Sequence, residues 1–134
     1  MRTKFVVVLV AAVLLASAGR VLAHHSFSAE FDAQKPFKMS GTVTKVEWMN
    51  PHTFFYIDVV DEKTKKVTNW AMEMGSPNGL MRQGWTRNSM KIGDKVTVTG
   101  SLAKDGSPTG NARDVILEAT GKKLFAASSQ GNTP

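Results

Sequence analysis

The stretch FKMSGTVTKVEWMN, residues 37–50, decides the reading of the fold. Phe37, Met39, Gly41 and Val43 share one parity, and Val46 and Trp48 share the other. Side chains alternate strictly along a strand, so a change of parity inside one apolar run implies one inserted residue. The pattern therefore predicts one long strand with a bulge near Thr44–Lys45. Asn50-Pro51 ends it, because proline lacks a donor and restricts the residue before it.

Working downstream, TFFYIDVV reads as a second strand, with Phe55, Ile57 and Val59 on its apolar face and His52, Phe54, Tyr56 and Asp58 on the other. DEKTKK is a charged hairpin loop, and VTNWAMEM is a third strand in which Trp70, Met72 and Met74 alternate with Asn69, Ala71 and Glu73. In GSPNGLMRQG, Ser76 is an N-cap, Pro77 suits the first helical position and Gly84 ends a helix over residues 77–83. KVTVTGSL follows as a fourth strand carrying Val96, Val98 and Leu102. KDGSPTGNA reads as a turn cluster, RDVILEA as a fifth strand and KKLFAA as a short sixth. A long bulged first strand and one short helix between strands three and four predict an all-β fold, a small OB-like antiparallel barrel of five to six strands.

Upstream, MRTK and the twelve apolar residues from Phe5 to Ala16 have the layout of a secretory signal peptide. The run is too short to span a membrane, which takes roughly 20 residues. Two junctions fit, after Ala18 and after Ala23, and the second is favoured. The expected organisation is a signal peptide at 1–23, an arm at 24–36, the barrel at 37–126 and a disordered tail at 127–134. The localisation this implies is periplasmic or secreted. The chain has no cysteine, which removes disulfides, acylation and thiolate metal sites. The formal charge of +6 is halved once Arg2, Lys4 and Arg20 leave with the signal. That balance does not call for nucleic acid, and no membrane span is expected after cleavage.

Two of the three histidines, His24 and His25, sit at the favoured junction. Cleavage after Ala23 would give His24 an α-amine and an imidazole, a chelating pair that suits Cu(II). His25 is a possible further ligand, and His52 a better one if the arm folds back onto the second strand. The plain alternative is a solvated polar pair beside a processing site. Trp48, Asn50 and Tyr56, with Arg82, Trp85 and Arg87, form a second candidate surface, for a small molecule or an envelope protein. WAMEM has soft thioethers, and its spacing is similar to the Trp-and-paired-Met strand of periplasmic silver/copper-binding OB-fold chaperones. One residue too few separates Trp70 from Met72, so Met72 and Met74 are assigned to the core. No nucleophile elbow, H-E-x-x-H or phosphate loop occurs, so no enzyme is expected.

Taken together, AHHSF, W-x-N-P-H and GSPN-x-L-x-R-x-GWT resemble the motifs of a family of small exported bacterial proteins known only as a domain of unknown function. The resemblance covers roughly residues 23–126. It implies periplasmic export and a small β-barrel, and no activity.

Overall fold

The structure is a computed structural model that describes residues 26–127. A one-turn helix, α1 (Ser26–Glu30), leads into the 17-residue strand β1 (Phe31–Glu47). Then follow β2 (Phe54–Val60), β3 (Val67–Glu73), the helix α2 (Pro77–Arg82), β4 (Lys95–Ala103), β5 (Thr109–Leu117) and β6 (Lys122–Phe125).

β1 is long because it serves two neighbours. Its first part pairs with β4, from Phe31↔Ala103 to Thr42↔Lys95, and its last part with β2, from Thr42↔Asp58 to Glu47↔Phe54. The register slips between Val43 and Lys45, which is the bulge the parity change predicts. The ring closes where β3 meets β5 in a short parallel ladder, Ala71↔Thr109 to Glu73↔Asn111. The barrel order is thus β1-β2-β3-β5-β4 and back to β1, with β6 added along the outer half of β5. This is the all-β, OB-like barrel expected, with its one helix between β3 and β4.

The interior is filled by Val43, Phe55, Ile57, Met72, Met74, Leu80, Val96, Val98 and Val115, each at most 1 % exposed. Burying each of the larger side chains contributes about 1.5–3 kcal/mol. Met72 and Met74 are core residues, as their alternation predicted. α2 starts as expected: Ser76 Oγ accepts from Gly79 N–H at 3.2 Å and Pro77 opens the helix. It ends one residue early, at Arg82, and Gly84 takes φ +94° just beyond. In the hairpin loop Asp61 Oδ1 accepts from Thr64 N–H at 2.7 Å and from Lys63 N–H at 3.0 Å. The Thr64 backbone bond is the main reason that the Asp61 carboxyl lies below its ordinary value.

Two boundaries differ from the sequence reading. Residues 26–36, read as part of an irregular arm, form α1 and the start of β1. The strand hides in the sequence because its register shifts between Asp32 and Pro36, where Asp32 Oδ1 accepts from Gln34 N–H at 2.9 Å and the chain bulges outward. β5 also begins at Thr109 instead of Arg113. Gly110 and Ala112 look like turn residues but face a crowded interior. A Cβ on Gly110 would lie 2.5 Å from the Phe37 ring. His24, His25 and most of the tail fall outside the described residues.

Candidate functional site

The site grows out of the break after β1. Past Asn50-Pro51, a cis peptide, the chain rejoins the sheet through Thr53, whose N–H donates to Gly75 O at 3.0 Å and whose carbonyl accepts from Met74 N–H at 2.8 Å. These two bonds extend the β2–β3 ladder by one step and hold His52 beside the end of β3. Met72 and Met74 point inward, so Glu73 between them points away from the core. It is nevertheless only 7 % exposed.

His52 Nδ1 lies 2.7 Å from Glu73 Oε1, with side chains 29 % and 9 % exposed. An ionised carboxylate only accepts, so Nδ1–H donates to it, and in the neutral ring Nε2 keeps its lone pair. The Glu73 carboxyl titrates above its ordinary value. Burial is the main cause and the charge of Glu30 adds to it, while the charge and hydrogen bond of His52 act the other way. Asn111, the parallel partner of Glu73, is 3 % exposed, and its Nδ2 has no hydrogen-bond partner. Thr53 Oγ1, wholly buried, lacks one too.

The raised value has a measurable sign. The folded chain holds the Glu73 proton to higher pH than the unfolded chain does. Its contribution to stability is therefore fully present below the ordinary glutamate range and is lost as pH rises through the raised value. In metal-free protein, thermal melts between about pH 4 and about pH 7 should turn progressively against the wild type relative to Glu73→Gln. Parallel curves for the two proteins would rule this out.

The other predicted residues are dispersed. Tyr56 donates to Glu47 Oε2 at 2.9 Å, Lys45 pairs with the same carboxylate, and the Lys45 ammonium lies 5.2 Å from the Tyr56 ring centre. Trp48 is half-buried against the core and Asn50 is exposed. Arg82 and Arg87 are exposed, but Trp85 between them is 2 % exposed. Its indole Nε1–H donates to Phe125 O at 2.9 Å. The expected arginine–indole surface is corrected accordingly: Trp85 is a core residue, turned inward by that bond.

Sequence reasoning missed Glu73 and Asn111. Glu73 sits in an alternating strand as a solvated residue would, and Asn111 sits among turn formers. Only the closure of β3 on β5 sets them side by side. Among the described residues, no three His, Asp or Glu side chains converge as metal ligands, and no helix is long and apolar enough to cross a membrane. No curated protein matches the chain. Its residues 11–112 match the model of a family of unknown function, DUF6152, and the chain belongs to that family.

Proposed function

We propose that this chain is an exported binding protein without catalytic activity, and that it takes Cu(II) through His52 and the histidines at its mature N-terminus. The observation that carries the reading is the 2.7 Å contact between His52 Nδ1 and Glu73 Oε1. Histidines that bind metals commonly give their other nitrogen to a carboxylate, which fixes the ring and raises its basicity. Here that leaves Nε2 as the ligand atom on a partly exposed ring.

The remaining ligands are His24, through its α-amine and imidazole, and His25. Both directly precede α1, whose last residue, Glu30, is near enough for its charge to act on Glu73. The periplasm or the outside of the cell is where this protein would meet copper.

Mass spectrometry of exported protein fixes the N-terminus, and Cu(II) titration follows. Starting at His24, the chain should bind; His52→Ala should weaken binding about 10–100-fold and Glu73→Gln about tenfold. Equal affinity of His52→Ala and wild type would end the proposal, as would a mature chain beginning at Gly19. The competing surface for a small molecule or envelope protein has lost its centre, because Trp85 is buried and the Tyr56 hydroxyl is engaged by Glu47.

A further inference from the structure

Between Glu73 and Asp94 the chain carries no carboxylate, yet Arg82, Arg87 and Lys91 all fall there. Outside that stretch the described residues carry eleven basic and eleven acidic side chains, so the stretch holds the whole positive excess of the described chain. All three basic side chains are exposed, and none makes an ion pair among the described residues.

The apolar members of the stretch hold it to the barrel. Leu80, Trp85 and Met90 are buried, so the chain between these anchors has to lead outward. From Trp85 to Met90 it does so as a turn. Ser89 N–H donates to Thr86 O at 3.1 Å and Thr86 N–H to Ser89 Oγ at 2.8 Å, which leaves Arg87 and Asn88 at the apex. A second turn follows Met90 directly. Asp94 N–H donates to Lys91 O at 3.1 Å, Asp94 Oδ2 accepts from Lys91 N–H at 2.8 Å, and Gly93 supplies the positive φ, +94°. This turn is joined to β1, because Gly93 N–H donates to Val43 O at 2.8 Å and Val43 N–H to Asp94 O at 2.9 Å.

Ile92 stands at the second apex. It is 72 % exposed, more than any other large apolar side chain among the described residues. Turns ordinarily place small or polar residues there. The backbone on both sides of Ile92 is hydrogen-bonded, so the side chain is presented to solvent by a fixed support. Chain length keeps it within about 17 Å of Arg87. Met81, also exposed, adds apolar surface beside Arg82.

Positive charge with a projecting apolar tip, and no carboxylate among them, complements one kind of surface in both respects. Anionic lipid headgroups attract the basic side chains, and the acyl region beneath takes the isoleucine. We propose that these two turns dock the chain on an anionic bilayer, with Ile92 inserted below the headgroups and Arg82, Arg87 and Lys91 against the phosphates. The surface uses none of His24, His25 and His52, so it stands whether or not the chain binds copper.

Cosedimentation of the exported chain with vesicles, chelator present, tests it. Vesicles of phosphatidylglycerol and phosphatidylcholine in equal parts should take up the chain about 100-fold more strongly than phosphatidylcholine alone, at about fivefold for each basic residue. Arg87→Gln and Lys91→Gln should each weaken uptake about fivefold. Ile92→Ser should weaken it about tenfold. Lys63→Gln removes the same charge from the β2–β3 loop and should change uptake less than about twofold in about 0.1 M salt. All four are exposed positions, so thermal midpoints should stay with the wild type. Equal uptake by the two kinds of vesicle, or none by either, would overturn the proposal. Equal losses in Lys63→Gln and Lys91→Gln would overturn the assignment to these turns. Unchanged uptake of Ile92→Ser would overturn insertion and leave an acidic protein as the partner that the charges fit.

Discussion

Gly100→Ala is expected to lose most or all of its folded population. A Cβ at this position would lie 1.9 Å from the carbonyl oxygen of Asn111 and 2.9 Å from its carbonyl carbon. Both are backbone atoms, so no rotamer change relieves the clash. Asn111 cannot retreat either, because it pairs with Ser101 on one side and Glu73 on the other. Making room means parting β4 from β5 at the slip between Thr99 and Gly100, next to the barrel closure. Overpacking and lost ladder bonds together should cost about 3–5 kcal/mol or more. A domain of this size has about 5–15 kcal/mol in all. Urea unfolding checks it: a change below about 0.5 kcal/mol would refute the crowding argument. Gly110→Ala is the internal comparison. Its Cβ would meet the Phe37 ring, the far end of a side chain, at 2.5 Å, so it should lose clearly less.

Trp85→Ala should be nearly as damaging. The indole is 2 % exposed within the core cluster, and its Nε1 ties the segment after α2 to Phe125 at the end of β6. Truncation to alanine leaves a large cavity, about 3–5 kcal/mol, and strands the Phe125 carbonyl. Trp85→Phe keeps much of the volume but not the bond, and should lose about 1–2 kcal/mol. Denaturation midpoints order the three proteins. An unchanged midpoint for Trp85→Ala would return the residue to a surface, ligand-facing role.

These two positions show what the residues disclose and what they withhold. The bulge at Thr44 is legible because a parity change is a local signal, and so are the Ser76 cap and the inward Met72 and Met74. Trp85 misleads because its neighbours Arg82 and Arg87 are exposed; its own orientation is set by a carbonyl forty positions away. The closing strand misleads for a related reason. Gly110 is small because the Phe37 ring presses on it, and Ala112 is wholly buried, but smallness alone reads as a turn. Of the candidate site, His52 is legible from its place after Asn50-Pro51. Glu73 is not, because alternation assigns it to solvent and only contact between β3 and β5 shelters it.

The double engagement of β1 also has a bearing on when the molecule can form. Loops of four to six residues join β1 to β2, β2 to β3, β4 to β5 and β5 to β6. β1 must also find β4, with Phe31 opposite Ala103, and the ring is sealed by a parallel ladder. Domains dominated by such distant pairings fold in milliseconds to seconds, and slowly compared with helical bundles. A chain emerging from the ribosome therefore cannot complete its barrel until nearly all of it has been made. If the chain is exported as proposed, that delay would leave it threadable while it is being made, because the topology that closes the finished barrel also postpones closure.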